Sequence, residues 1–336
     1  MNNTKQRRIN LYASRSIGET LSATFDFVTQ NFVPLIKFLS AFLLPVSALM
    51  GLSYQSMFSS FANIENLNDE TEQILSVVMS YLPVLVLCLI GALLTVAVTY
   101  TLMQKYLQRD NLLKGLTLNE IKPLLKHNLW RVFKMLLLLT LIGIVAFVVL
   151  VLAVMMAQMA VAVSIIEPLV VLLYVAILVV ALPLSLALPL CVFEPELGLF
   201  SCVKKALRLG FKTWGTLFVV MLVITMLVQI VSFILMIPFL FTTMASIFFE
   251  IDSTQYASLA YTSSAWFSVL TFASSLLFCF GLLLMSALSF VAFAFCYGRA
   301  ADKVEGVSVK NAVQNFDSTS STEDTTADII SQFDKE

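Results

Sequence analysis

Residues 135–193 read MLLLLTLIGIVAFVVLVLAVMMAQMAVAVSIIEPLVVLLYVAILVVALPLSLALPLCVF. Gln158, Ser164 and the pair Glu167-Pro168 interrupt this apolar run near its middle. A helix that crosses a bilayer needs about 20 predominantly apolar residues, so the run is long enough for two crossing helices. Because proline after an acidic residue favours a turn, we place the connection between the two helices near Glu167.

The rest of the chain has the composition of a multi-pass membrane protein. Of its 336 residues, 59% are hydrophobic and only 12% are charged, and the mean hydropathy is +0.92. Soluble domains contain about 25% charged residues. Six stretches are apolar and long enough to cross a bilayer, and we place them at 33–54, 77–101, 132–160, 167–193, 215–245 and 266–297. The sequence therefore predicts an all-α polytopic membrane protein with six transmembrane helices.

All 20 Lys and Arg residues fall on one side of this topology. They precede the first spanning helix or lie in its opening turn, occupy the second and fourth connections, and follow the last helix. The other three connections carry only the acidic charges Glu65, Asp69, Glu70, Glu72, Glu167, Glu250 and Asp252. Since Lys and Arg accumulate in cytoplasmic loops, we expect a bacterial cytoplasmic (inner) membrane protein with both termini in the cytoplasm.

Three amphipathic segments are predicted as interfacial helices. The first opens on the capping box Ser16-Ile17-Gly18-Glu19. The second opens on a similar pattern, Thr117-Leu118-Asn119-Glu120, but Pro123 indicates that its helix starts late or bends. In the third, Pro195 suits a first helical position. Such helices lie in the plane of the lipid headgroups, or they act as elbows that turn the chain into the next spanning helix.

A loose internal repeat accompanies these segments. Asn31 to Phe38 aligns with Asn128 to Met135, and Trp214 extends the match weakly to a third copy. This pattern divides a single transmembrane domain, residues 1–310, into three parallel units at about 14–101, 115–193 and 196–299. Small residues along the sixth spanning helix predict that it lies inside the bundle. Residues 311–336 are rich in Ser, Thr and Asp and are predicted to form a disordered polar cytoplasmic tail.

The basic and aromatic residues of the predicted cytoplasmic interface form the first candidate site. Indole rings favour the membrane–water interface, and Lys and Arg beside apolar helices attract anionic headgroups. The candidate residues are Arg15, Lys37, Lys126, Trp130, Arg131, Lys134, Lys204, Lys205, Arg208, Lys212 and Trp214. Membrane lipids are therefore the predicted partners, together with an unidentified membrane protein as a second option. The net charge of −1 gives no support for nucleic acid.

A second candidate site lies within the membrane. Polar side chains in spanning helices mark solute paths or hydrogen bonds between helices. The candidates are Gln229, Thr95 and Ser289. Pro183 and Pro189 are expected to break the fourth spanning helix and Pro238 the fifth, and broken helices bind ions in some transporters. The predicted function is thus a non-catalytic scaffold or lipid-associated accessory, with a small-solute transporter or a transporter component as the alternative.

The sequence contains no catalytic or metal-binding pattern. His127 is the only histidine and the five cysteines form no CxxC pair, which excludes a histidine-ligated metal centre. A Walker loop, a dinucleotide fingerprint and a nucleophile elbow are also missing. We therefore expect no enzyme activity, no metal site and no cofactor.

Two stretches resemble a known family. The first runs from Ser16-Ile17-Gly18-Glu19 to Phe25 and Gln30-Asn31-Phe32, and the second from Phe200 through Lys204-Lys205-Ala206 to Gly210 and Trp214. They resemble the membrane domain attached to some bacterial glycerophosphoryl diester phosphodiesterases, and its uncharacterised stand-alone relatives. The resemblance implies a six-helix cytoplasmic-membrane domain over most of residues 14–300. Diester hydrolysis in that family belongs to a separate soluble domain, so the resemblance assigns no catalytic residues here.

Overall fold

The computed structural model describes residues 9–62, 70–109, 113, 115–159, 163–251, 265–310 and 313. Within these ranges the chain forms the helices α1 (Ile17–Gln30), α2 (Phe32–Ala62), α3 (Glu70–Gln108), α4 (Leu118–Met159), α5 (Val163–Leu184), α6 (Ala187–Phe193), α7 (Leu199–Lys212), α8 (Trp214–Ile251) and α9 (Ala265–Glu305). Six segments are long and apolar enough to cross a membrane, and they are α2, α3, α4, α5 with α6, α8 and α9. The predicted all-α polytopic fold is therefore confirmed.

Some of the sequence predictions concern residues outside this description. They include the charges Glu65, Asp69 and Asp252, the side chains of Glu70, Gln158, Ser164, Glu167 and Glu250, and the tail 311–336 apart from Val313.

The core of the bundle forms around α9. This helix packs along α8, α2 and α3, so the prediction that the sixth spanning helix lies inside the bundle is confirmed. Close packing depends on glycine at the α2–α9 crossing, where a Cβ on Gly51 would lie 2.8 Å from Ser275 Oγ. Residues without a large side chain let helix backbones approach closely in membranes.

Helices α4 and α5 lie at the edge of the bundle. The buried residues of α4 end at Met135, and beyond it side chains such as Leu137, Ile144 and Phe147 are exposed. Helix α4 contacts α3, α5 and α6. Its buried residues, which include Ile121, Asn128 and Val132, lie in the half of the helix nearest α6. The other half therefore presents apolar surface to the surrounding membrane.

The prolines act differently in α5 and α8. The break predicted at Pro183 is confirmed, because α5 ends at Leu184 and α6 begins at Ala187. Pro189 lies in the first turn of α6 and does not interrupt it, so the break predicted there is wrong. The break predicted at Pro238 is wrong, since α8 continues through this residue. The Thr242 hydroxyl donates to Pro238 O and Phe239 O at 3.2 and 3.0 Å. Prolines are tolerated within membrane helices, and α8 is such a case.

Of the three amphipathic segments, the first and third form separate helices, α1 and α7. Each has 14 residues and is followed after one residue by a spanning helix. The second segment is instead the first part of α4, which runs through Pro123 and Asn128 without interruption. Asn128 lies within this continuous helix, and its side chain donates to two side chains of α3. The three-unit repeat itself stays a prediction.

The helix starts agree only partly with the sequence. The capping box of α1 is confirmed, because Glu19 N donates to Ser16 Oγ at 3.2 Å and Ser16 N to Glu19 Oε2 at 2.7 Å. The start predicted at Pro195 is wrong, since α7 begins at Leu199 after Gly198. Residues 194–198 form a turn whose backbone carbonyl oxygens bind a side chain of α4.

Candidate functional site at the basic end of the bundle

Four parts of the chain meet at one end of the bundle. Ile9 N donates to the Tyr106 hydroxyl at 3.0 Å, which joins the N-terminal arm to the end of α3. The hydroxyl groups of Tyr12 and Tyr297 lie 3.5 Å apart, which joins the same arm to α9. Lys205 of α7 binds Glu305 at the end of α9. We call this end, with residues 9–31, 102–134, 194–213 and 297–310, the basic end.

The described Lys and Arg residues lie at this basic end, with Lys37 in the first turns of α2. The prediction that the positively charged segments share one side of the topology is therefore confirmed for the described part of the chain.

Lys205 forms the centre of a partly buried charge cluster. Its Nζ lies 2.8 Å from both carboxylate oxygens of Glu194 and 2.9 Å from Glu305 Oε2. The Tyr297 hydroxyl donates to Glu194 Oε1 at 2.6 Å. Burial lowers the pKa of Lys205, but the hydrogen bonds with the two carboxylates outweigh it and raise the pKa above its ordinary value. The cluster holds α7 against α9 and the turn after α6.

Arg131 of α4 holds the turn between α6 and α7. Its Nε donates to Cys191 O at 3.0 Å, one terminal nitrogen donates to Leu197 O at 3.1 Å, and the other contacts Pro195 O. The last carbonyl oxygens of a helix have no partner within the helix, and a cation near them is favourable. The guanidinium group thus satisfies the end of α6 and the following turn.

Asn128 completes this connection one turn earlier in α4. Its side-chain amide donates to Thr101 Oγ1 at 3.0 Å and to Gln104 Oε1 at 2.6 Å. Gln104 in turn donates to Val192 O at 2.8 Å. A buried chain of hydrogen bonds therefore links α3, α4 and α6, and it explains why an asparagine occurs inside a continuous helix.

Trp214 also binds within the protein. Its indole N–H donates to Val179 O at 3.2 Å. In a regular helix that carbonyl oxygen would accept from residue 183, but Pro183 has no N–H. Gly210 of α7 packs closely against Pro183 of α5, since a Cβ on Gly210 would lie 2.6 Å from Pro183 Cα. The start of α8 and the end of α7 are thereby fixed to the broken end of α5.

Arg15 is held in a similar way. Its guanidinium group donates to Leu11 O at 3.4 Å, contacts Asn10 O and lies 5.5 Å from the ring centroid of Phe295. Four of the eleven residues predicted for headgroup binding are therefore engaged inside the protein, namely Arg15, Arg131, Lys205 and Trp214. For these four the prediction needs correction, because their donors already have protein acceptors.

The other seven predicted residues are exposed: Lys37, Lys126, Trp130, Lys134, Lys204, Arg208 and Lys212. None of their charged groups forms an ion pair with a residue that the structure describes. The three on α7 are spaced by four residues and lie on one face. These exposed cations are the ones available to a ligand.

Helix α7 has three distinct faces. Cys202, Ala206, Leu209 and Gly210 are buried against the bundle. Next around the helix comes an apolar flank in which Phe200 and Phe211 are 78% and 49% exposed. The third face carries Lys204, Arg208 and Lys212, which we call the α7 cation face. A helix with packed, apolar and basic faces in this order is suited to lie at a membrane surface.

Helix α1 has the same order of faces but the opposite charge. Thr20, Ala23, Thr24 and Phe27 are buried. The residues of the predicted apolar stripe, such as Leu21 and Phe25, are only half-buried, and Glu19 and Asp26 are exposed. The matching order agrees with the predicted repeat between the first and third units. Because its outward face is acidic, α1 is not equivalent to α7 as a surface for anions.

The three polar residues predicted within the membrane do not share a site. Gln229 is exposed on α8 beside the exposed Met226 and Ile230. Thr95 is fully buried and its hydroxyl donates to Gly91 O in its own helix at 2.8 Å. Ser289 is half-buried on α9. An exposed amide on α8 and a buried hydroxyl on α3 do not form the lining of one solute path.

Sequence reasoning missed the acidic and tyrosine partners of this end. Glu194, which follows α6, binds Lys205 and Tyr297, and the sequence did not indicate these contacts. Tyr12 and Glu305 lie 182 and 111 residues from Glu194 along the chain, so no local pattern indicated them. Only the paired charges on α7 hinted at a cluster, since two adjacent lysines cannot both lie on the same helix face.

Comparisons with known proteins gave no relative of this chain: no family model, no curated protein and no solved structure matches it.

Proposed function

We propose that this chain is a non-catalytic, lipid-associated accessory or scaffold of a bacterial cytoplasmic membrane, with its basic end and both termini in the cytoplasm. Six membrane-crossing segments make it a multi-pass membrane protein. The one-sided distribution of Lys and Arg supports the orientation. The resemblance of residues 14–300 to the phosphodiesterase membrane domain is part of this proposal and agrees with a role that does not require catalysis by this chain.

The α7 cation face is the observation that carries the proposal. Lys204, Arg208 and Lys212 are exposed at one level of the bundle, next to the exposed Phe200 and Phe211. The phenylalanine rings would enter the boundary of the acyl chains while the cations meet anionic headgroups. Each Lys or Arg near an anionic membrane surface contributes about 1 kcal/mol, so three of them favour an anionic membrane substantially.

The surrounding contacts support a fixed orientation for α7. Lys205 on the inner side binds Glu194 and Glu305, and Gly210 packs closely against Pro183. A helix held from its inner face by charge pairing and close packing does not need to reorient when it meets lipid. Binding therefore loses little of its free energy to ordering of the protein.

The transporter alternative has less support. It was based on Gln229, Thr95 and Ser289, which lie on three different helices and differ in exposure. Several backbone carbonyl groups of α5 and α6 already accept hydrogen bonds from side chains. Val179 O accepts from Trp214, while Cys191 O and Val192 O accept from Arg131 and Gln104. Carbonyl oxygens that already accept hydrogen bonds are poor candidates for ion ligands.

The proposal is tested by thermal stability in lipid nanodiscs. The wild-type protein and the variant Lys204→Gln/Arg208→Gln/Lys212→Gln are placed in nanodiscs of phosphatidylcholine that contain increasing fractions of phosphatidylglycerol. The Tm of the wild type should rise with the anionic fraction, and high salt should reduce this rise. The variant should lose most of the rise while keeping the same Tm in pure phosphatidylcholine.

The control variant is Lys303→Gln/Lys310→Gln, which removes exposed charges at the same end but outside α7. It should retain most of the phosphatidylglycerol-dependent stabilisation. Equal Tm values for the wild type in the two lipids would contradict the proposal. So would an equal loss in the control and in the α7 variant, because it would assign the effect to net charge.

A further inference from the structure

A groove runs between α3 and α4 on the outside of the bundle. Its volume is about 380 Å³. Leu89, Ile90 and Leu93 of α3 line one wall, and Phe133, Leu137 and Leu141 of α4 line the other. The lining is almost entirely apolar and belongs to two membrane-crossing segments. The groove therefore opens to the hydrocarbon region of the membrane.

The length of the groove is close to the thickness of the hydrocarbon region of one leaflet. Its α4 wall extends from Phe133 to Ile144, which is about 16 Å at a rise of 1.5 Å per residue. The hydrocarbon core of a bilayer is about 30 Å thick. A groove that starts near the basic end and covers about half this thickness matches the acyl chain of a lipid in the leaflet at that end.

Exposed cations lie directly above this groove. On α4, Lys126, Trp130 and Phe133 follow at helical spacing and continue the groove wall toward the basic end. Trp130 is 59% exposed and stacks on Phe133 with 5.7 Å between the ring centroids. Lys134 Nζ lies 4.9 Å from the centroid of the Trp130 ring. A cation and an indole therefore occur together where a lipid headgroup would be.

A second apolar crevice, between α4 and α5, provides a contrast. Its volume is about 550 Å³, and Gly143, Ala176 and Leu188 are among its lining residues. Where this crevice approaches the basic end of the bundle, the cation on the same face of α4 is Arg131. Arg131 donates to three backbone carbonyl oxygens. The α4 cation beside this crevice is thus already bound within the protein, whereas the α4 lysines beside the α3–α4 groove are exposed.

We infer that the α3–α4 groove binds one anionic phospholipid. One acyl chain lies along Phe133, Leu137 and Leu141, and the phosphate group is bound by Lys126 and Lys134 beside Trp130. The inference rests on the proposed lipid association but concerns a site separate from the α7 cation face. The α7 face attracts anionic headgroups in general, whereas the groove also selects for a chain attached to the headgroup.

The test uses quenching of Trp130 fluorescence by phospholipids with brominated acyl chains. The full-length protein in detergent micelles is titrated with brominated phosphatidylglycerol or brominated phosphatidylcholine, and the Trp130→Phe variant supplies the signal to be subtracted. The fluorescence of each variant is normalised to its value with the unbrominated lipid. This is needed because Lys134 contacts the indole, so its replacement can itself change the fluorescence of Trp130. Quenching by phosphatidylglycerol should saturate at a mole fraction at least several-fold lower than quenching by phosphatidylcholine.

Two variants separate the headgroup from the chain. Lys126→Gln/Lys134→Gln should remove the preference for phosphatidylglycerol and leave quenching at high lipid fraction. Ile90→Phe/Thr140→Phe fills the groove and should lower the maximal quenching for both lipids. If the filled variant fails to fold, the charge variant decides alone, because both of its side chains are exposed.

Equal saturation by the two lipids in the wild type would overturn the inference. So would an unchanged preference in Lys126→Gln/Lys134→Gln. The variant Lys204→Gln/Arg208→Gln/Lys212→Gln serves as the matched control and should retain Trp130 quenching. Loss of the nanodisc effect in that variant, together with retained quenching, would show that the two sites act independently. Failure of one proposal is therefore distinguishable from failure of the other.

Discussion

The indole N–H of Trp214 donates a 3.2 Å hydrogen bond to Val179 O, the carbonyl oxygen that lacks a helical donor because residue 183 is proline. A side chain that the sequence assigned to the headgroup region thus completes the backbone of a broken helix. The same end of the protein shows this repeatedly: Arg131 and Gln104 satisfy the end of α6. These polar residues near the basic end form hydrogen bonds within the protein. The exposed cations at the same end are the ones that we propose for lipid binding.

Replacing Trp214 by Phe should destabilise the protein by about 1 kcal/mol, the typical net value of one hydrogen bond. In a Pro183→Ala background the cost should be smaller, because residue 183 then supplies its own N–H to Val179 O. The measurement is a double-mutant cycle of unfolding free energies in detergent. Equal costs in the two backgrounds would mean that the Trp214 bond does not compensate for Pro183.

Replacing Lys205 by Met should lower stability by about 2 kcal/mol, because Glu194 and Glu305 would remain partly buried without their cation. Lys204→Met changes the adjacent, exposed lysine and should cost less than about 0.5 kcal/mol. Chemical denaturation of the two variants checks this difference. Similar values for both would argue against a stabilising charge cluster.

The contribution of Lys205 should also depend on pH. Its pKa is raised in the folded protein by the two carboxylates, against the opposing effect of burial. The stabilisation is therefore fully present below the ordinary lysine value of 10.5 and is lost as the pH rises through the higher folded pKa. The difference in unfolding free energy between wild type and Lys205→Met should be constant from pH 7 to about 10 and decrease above that. A difference that already falls between pH 7 and 9 would contradict this assignment.

Gly210→Ala should destabilise the protein by about 1–3 kcal/mol. The new Cβ would lie 2.6 Å from Pro183 Cα, and backbone atoms cannot move aside easily. Gly143→Ala is the matched control, since no atom lies within 4 Å of its Cβ position. Alanine in that helix interior should be neutral or stabilise by up to about 1 kcal/mol. Thermal unfolding of both variants tests the contact, and equal effects would exclude it.

Gln229→Leu should leave stability unchanged or increase it slightly, because the amide is exposed on an apolar helix surface. Asn128→Leu should instead cost about 2 kcal/mol or more, since it removes the hydrogen bonds that the buried Asn128 amide donates to Thr101 Oγ1 and Gln104 Oε1. The comparison uses unfolding free energies in the same detergent. A large loss in Gln229→Leu would indicate that the amide has an internal partner.

The sequence predicted the architecture well because its signals are long. Apolar runs such as 135–193 and the one-sided charges average over many residues, and the break after Pro183 follows from backbone chemistry alone. The capping box at Ser16 was also readable, since both of its hydrogen bonds join residues three positions apart. Long apolar runs, and hydrogen bonds between residues within one helical turn, can be predicted from a single sequence.

The roles of individual side chains were less predictable. Arg131 and Arg208 both follow apolar helix positions at the same end, yet the first binds backbone carbonyl oxygens and the second is exposed. The difference depends on where the turn at residues 194–198 lies, which is tertiary information. The break expected at Pro238 also failed, since α8 continues through this residue. Gln229 lies outside the core because α8 turns its other face to α9.

The position of α7 at the membrane surface is the central claim, and spin-label depth measurement tests it most directly. A nitroxide is attached at Phe211→Cys in bilayers that contain phosphatidylglycerol, with Asp26→Cys on α1 as the matched site and with native cysteines removed. The label at position 211 should be more accessible to oxygen than to a water-soluble nickel complex, while the label at position 26 should show the reverse. Preferential access of the nickel complex to Phe211 would place α7 in water and contradict the account.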